Sequence, residues 1–303
     1  MSTHDHHHAH DHAVPARFGT SFAIAAILNV AIVILQIVYG LSAHSTALLA
    51  DAAHNTGDVV GIMLAWGAYV LAQRKSTERF TYGFRSSTIF ATLLNGMILL
   101  VATGAIVWEA LHRLVDPSPV EGGVLIAVAA AAIILNSFSA WLLSRGGSDL
   151  NIRSAFWHLV SDAVVSAGVI VAGILIIITG FSWLDSAVSI VIAVAIIWST
   201  WKLLRESVRL TLQAVPGDID LIAVRSYLSS ISGIVRIRDL HIWPISTTET
   251  ALTCHFVVRS TFDPDSIRDI SDELAHRFKI GHSTIQLESE DGRPCSLVQK
   301  KKN

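Results

Sequence analysis

Asp51-Ala-Ala-His54-Asn-Thr-Gly-Asp58 interrupts an otherwise apolar, helix-length stretch, and its reading decides the fold. A related phrase, Trp157-His158-Leu-Val-Ser-Asp162, returns inside a later apolar stretch. In each phrase a histidine and an aspartate stand four residues apart, which on an α-helix sets them on one face, a turn from each other. An ionisable group inside a bilayer costs a few kcal/mol even on the lower scales, so four of them need a reason. Two neutral imidazoles and two carboxylates make a tetrahedral ligand set whose charge cancels that of a divalent cation.

The rest of the chain agrees with a membrane setting. It is 52% hydrophobic and only 15% charged, where a soluble domain carries about a quarter charged residues. Most of the first two hundred residues are apolar, and the last ninety have the composition of a soluble domain. The formal net charge of -2 gives no ground for a nucleic-acid partner. Cys254 and Cys295 are too few and too isolated for a disulfide framework, which places the polar C-terminal part in a reducing compartment. No cleavable signal peptide is visible.

Six stretches have spanning length, at roughly 18–40, 46–73, 87–112, 120–143, 154–179 and 183–205. Arg74, Lys75, Arg79 and Arg85 follow the second, Arg145 and Arg153 the fourth, and Lys202, Arg205 and Arg209 the sixth. The intervening loops on the other side hold only Arg113, so both termini are predicted to be cytosolic. With the second and fifth spans antiparallel, His54 is expected level with Asp162 and Asp58 level with His158, the two levels roughly 5–6 Å apart near mid-membrane. The halves, spans one to three and four to six, then carry related motifs in opposite orientation, as inverted-topology repeats do. Small neighbours (Ala52, Ala53, Gly57, Gly61, Ser161, Ala163, Ser166, Gly168) allow close helix approach.

Residues 1–17 interleave His4, His6, His7, His8, His10 and His12 with Asp5 and Asp11, a metal-binding composition. Expression tags are usually unbroken histidine runs, so this reads as a native, disordered metal-capturing tail. After Arg209, Asp218 and Asp220 open an amphipathic helix to about Ser232. Ile234–Ser246 and Thr248–Arg259 read as strands, Asp263–Phe278 as a helix with Pro264 at its start, and His282–Glu288 as a closing strand. The order αββαβ predicts a small two-layer α+β domain, followed by a tail from residue 291 that ends in Lys300, Lys301 and Lys302.

Taken together, Ala50–Asp58, Phe80-Thr-Tyr-Gly83, His158–Asp162 and Asp239-Leu-His-Ile-Trp-Pro244 resemble the cation diffusion facilitator family, in the branch of zinc transporters and bacterial cadmium, zinc and cobalt exporters. The likeness runs from residue 18 to 290. It implies a membrane all-α fold of six transmembrane helices with a cytosolic, metallochaperone- or ferredoxin-like α+β domain, and division into tail 1–17, membrane domain 18–209, cytosolic domain 210–290 and tail 291–303. It also implies a homodimer that exchanges Zn²⁺, and with it Cd²⁺, for protons by alternating access. His54, Asp58, His158 and Asp162 are then the transport site. In the cytosolic domain the resemblance points to a regulatory metal site on His241, His255 and Glu288, with His282 and Glu290 beside them. The long histidine-rich loop that many eukaryotic members carry between the fourth and fifth spans is missing, and the tail is a candidate substitute.

Other residues weigh less. Asp51, one turn outward of His54, is read as assisting release or carrying protons, or as an ordinary acid near the membrane surface. Glu109, Asp185, His44 and His112 fall at outer span ends and read as solvated. A membrane metallohydrolase would need a base beside an open metal position, as in HExxH, and no such motif occurs. A metal sensor without transport would leave the mid-membrane acids unexplained. No cofactor beyond transported or regulatory Zn²⁺ is expected, and the short loops point to a bacterial inner membrane.

Overall fold

The computed structural model describes residues 18–144 and 150–289. The histidine-rich tail, Arg145, Glu290, Cys295 and the lysine-ended tail lie outside the described residues, as does the side chain of His158.

Six long helices come first: α1 (Phe18–Ser42), α2 (Thr46–Ala72), α3 (Ser87–Val115), α4 (Gly122–Ser144), α5 (Leu150–Thr179) and α6 (Trp183–Thr211). Among the described residues, four of them contain stretches long and apolar enough to cross a membrane, at Ser87–Val115, Gly122–Leu142, Leu159–Thr179 and Trp183–Thr211, and the searched part of α1, Ile27–Ser42, is apolar as well. In α2, the polar phrase at 51–58 dilutes the apolar run. Val171, Ile178, Val191 and Trp198 are more than half exposed along α5 and α6, which suits lipid and would be costly in water.

The described residues group into two compact units, 18–59 with 99–144 and 150–198, and 60–98 with 199–289. In the first unit, Ala47, Leu48, Leu99, Leu125, Val128, Val169, Ile192 and Ile196 form one buried core drawn from α2 to α6. Two glycines let α4 and α5 cross closely: a Cβ on Gly122 would stand 2.7 Å from the Gly173 carbonyl oxygen, and one on Gly173 would meet Ile126 Cγ1 at 2.8 Å. Apolar area is no driving force between helices in lipid, so close packing through small residues takes its place.

In the second unit, α7 (Leu221–Ser229), β1 (Ile234–Pro244), β2 (Thr250–Val258), α8 (Ser266–Phe278) and β3 (His282–Ser289) follow in the expected αββαβ order. Asp220 caps α7 by accepting from the Ile222 and Ala223 amides, which satisfies two of the helix's orphan donors. The sheet order is β1-β2-β3, with β1 antiparallel and β3 parallel to β2. Leu252, Cys254 and Phe256 on one face of β2 pack with Val224, Leu228, Ile270 and Leu274 of the two helices. Residues 253, 255 and 257 therefore face the other way, by strand alternation.

The loop between α2 and α3 belongs to this same unit. Its turn is fixed by Gly83 at φ 67°, where a Cβ would press to 3.1 Å on the Arg74 carbonyl oxygen. Arg85 Nη1 donates to Glu249 Oε2 at 2.6 Å, and Ser86 Oγ to the Ile245 carbonyl at 3.0 Å. The Thr247 amide donates to Thr88 Oγ1 at 3.1 Å.

Candidate metal centre

Helix periodicity sets Asp51, His54 and Asp58 on successive turns of α2, and places His158 and Asp162 one turn apart on α5. His54 Nε2 stands 3.4 Å from Asp162 Oδ1 and 3.9 Å from Asp58 Oδ2. His54 and Asp162 thus lie level across the two helices, and the imidazole touches both carboxylates. The Asp162 side chain is 1% exposed, against 21% and 23% for His54 and Asp58. Among the described residues no three His, Cys, Asp or Glu side chains are gathered tightly enough to hold an ion as they stand. The Gly57 position is filled by its neighbour, because a Cβ there would come within 2.7 Å of Leu99 Cδ1.

Asp51 sits in a buried polar network rather than at a surface. Gln36 Nε2 donates to Asp51 Oδ2 at 2.6 Å and Ser166 Oγ to the same oxygen at 3.1 Å. Asn55 Nδ2 donates to Gln36 Oε1 at 3.0 Å. Helices α1, α2 and α5 are joined here within one turn of His54. Gln36 had a legible signal: with Asn29 it is one of two amides inside a strongly apolar span.

Asp185 corrects the reading of a solvated outer acid. It is 1% exposed. Its carboxylate accepts from Ser45 Oγ at 2.5 Å, the Thr46 amide at 2.6 Å, Thr46 Oγ1 at 2.8 Å and the Ala47 amide at 3.3 Å. An acid on α6 therefore caps the start of α2, where unpaired N–H groups and the helix dipole favour negative charge.

The cytosolic candidates separate. His255 Nδ1 and Glu288 Oε1 are 2.8 Å apart on neighbouring strands, both side chains largely buried. His241 is 62% exposed and turns its Nε2 to Asp239 Oδ1 at 3.0 Å, and His282 stacks edge-on against Tyr82. Cys254 is buried on the opposite face of β2, and burial pushes its thiol up to about 12. It packs as a core residue of the domain.

Residues 22–211 match the family profile described as the cation efflux transmembrane domain. Residues 216–290 match the one described as the cation efflux protein cytoplasmic domain. Similar proteins include the metal cation efflux system protein CzcD of Cupriavidus metallidurans, 34% identical over 93% of this chain and 89% of that one. The cadmium, cobalt and zinc/H(+)-K(+) antiporter of Bacillus subtilis is 33% identical over 88% of each chain. The zinc transporter ZitB of Escherichia coli is 32% identical over 96% of this chain and 93% of its own.

Proposed function

Because the chain belongs to the cation efflux family, the cation diffusion facilitators, we propose that His54, Asp58, His158 and Asp162 are the seat through which it moves its metal. The protein is a membrane transporter of divalent cations and not an enzyme. The names of its relatives favour Zn²⁺, with Cd²⁺ and Co²⁺ as companions, exchanged for protons. We further propose six spans, both termini in the cytosol, a bacterial cell membrane and a homodimer, the last in keeping with a cytoplasmic domain of this family.

The observation that carries the seat is His54 Nε2 at 3.4 Å from Asp162 Oδ1. An imidazole and a carboxylate from antiparallel helices meet at one level, and Asp58 touches the same ring. A metal needs the imidazoles neutral and the carboxylates ionised, so metal and protons compete for one set of groups. Cytosolic Zn²⁺ loads the seat, rocking exposes it outward, and protons from the far side displace it. Asp51, tied to Gln36 and Ser166 beside the ring, is placed to take part in the proton return.

In the cytosolic domain His255 and Glu288 fit a metal, an imidazole next to a largely buried carboxylate. We propose this pair as the heart of a regulatory site, with His241 and His282 as the further donors. The test of the transport seat is Zn²⁺ uptake into everted vesicles. Asp58→Ala and Asp162→Ala are each expected to abolish it, and undiminished uptake by both would remove the assignment.

A further inference from the structure

The His255–Glu288 pair is not a simple vacancy for a cation, because a cation is already built against it. In the β1–β2 ladder Arg238 is the direct partner of His255. Directly opposed residues of an antiparallel pair share a face. On the other side, Glu288 of β3 pairs with Val257, two residues along β2 from His255. Arg238, His255 and Glu288 thus converge on the sheet face turned away from α7 and α8.

Their contacts use both carboxylate oxygens. Oε1 of Glu288 takes His255 Nδ1 at 2.8 Å, and Oε2 takes Arg238 Nη1 at 3.2 Å. The three side chains are 9%, 14% and 20% exposed for Glu288, His255 and Arg238. A largely buried carboxylate needs a positive or donating partner, and here the chain supplies one itself. The strand is shaped for it: the ladder slips between Arg238 and His241, and Asp239 within the slip takes φ 51°. That bulge keeps Arg238 on the face of His255, while His241 is left exposed beside Asp239.

We propose that Arg238 is a tethered competitor that sets the metal affinity of the His255–Glu288 site, an inference that rests on reading this pair as a metal site. A divalent ion takes Glu288 only by expelling the guanidinium, which then stands as a like charge beside it. The site is self-neutralised when metal is scarce and fills only when metal is abundant.

The test measures Zn²⁺ bound by the full-length protein in detergent, by equilibrium dialysis with metal analysis. Arg238→Gln removes the charge at similar length, Arg238→Lys keeps it, and Glu288→Gln marks the site. In the Arg238→Gln protein, a site that Glu288→Gln abolishes is expected to bind Zn²⁺ at least tenfold tighter than in the wild type. Arg238→Lys is expected to stay close to the wild type. A site sensitive to Glu288→Gln whose affinity is unchanged by Arg238→Gln overturns the competitor and leaves the metal site standing. No effect of Glu288→Gln on bound Zn²⁺, in either the wild-type or the Arg238→Gln protein, overturns the metal site and the competitor with it. The seat at His54 does not enter the comparison, since none of the three variants touches it.

Discussion

Asp185 and Cys254 illustrate how burial changes what a single residue does. Asp185 holds the Ser45 and Thr46 hydroxyls and the first amides of α2 in one carboxylate. Removing it strands buried donors, each worth about 1–3 kcal/mol when left unpaired. Asp185→Ala is therefore expected to destabilise the protein by on the order of 3 kcal/mol, read as a fall of several degrees in the thermal transition in detergent. Asp185→Asn, which keeps an acceptor, is expected to lose less. Equal and negligible shifts for both would remove the capping role. Cys254 works in the opposite sense, through a group kept neutral. Below 9.0 its thiol is protonated whether the chain is folded or not; between there and about 12 only the unfolded chain ionises. Its contribution to stability is thus lost as pH rises through that window. In a Cys295→Ser background, a thiol reagent at pH 8 is expected to label nothing until denaturant is added. Ready labelling of the native protein would show that the thiol is accessible.

At the scale of elements, the α4–α5 crossing sets how closely α5, the helix that carries Asp162, approaches α4. Gly122 and Gly173 leave no room for a side chain, whereas a Cβ on the adjacent Gly123 would meet nothing within 4 Å. Gly173→Val is expected to push α5 off α4 and cut vesicle Zn²⁺ uptake at least tenfold, while Gly123→Val, on the open side, leaves it near normal. Similar uptake by the two variants would detach the crossing from transport. The helices, the strands and the meeting of His54 with Asp162 were legible beforehand, because periods of 3.6 and 2 and the antiparallel order of two spans determine them. Three things were not. The Asp185 cap joins residues 139 positions apart, and no local pattern connects an acid to a remote helix start. The β1 bulge depends on Asp239 taking a left-handed conformation, which the run Arg238-Asp-Leu-His241 does not announce. Nothing in that run therefore signals that Arg238 is set against His255 in the ladder, with its guanidinium on Glu288.

For the whole molecule, the charge on the proposed seat bears on the direction of exchange. Two aspartates and two neutral histidines carry a charge of about −2 when empty and about zero with a divalent ion bound. An empty, fully ionised seat inside lipid is costly to move, so in the proposed cycle protons take the place of the metal on the return. Protons and metal compete for the same ligand atoms, and bound metal is therefore displaced most readily when the far side is more acidic. Zn²⁺ flux in proteoliposomes is expected to fall several-fold when an ionophore collapses the pH gradient, and to recover when the gradient is restored with Zn²⁺ unchanged. The Bacillus subtilis relative's name includes K⁺ as well as H⁺, so the measurement is run with and without K⁺ on the far side. Flux that follows the K⁺ gradient and ignores pH would keep the ligand set but replace the counter-ion. Flux indifferent to both would mean that the seat returns empty and charged, which the electrostatics of two buried carboxylates oppose. Asp51 sharpens the distinction, since Asp51→Asn leaves the four ligands intact. Proton flux that falls more than metal binding in that variant would place the returning proton on the Gln36–Asp51–Ser166 network, and equal losses would place it on the ligands themselves.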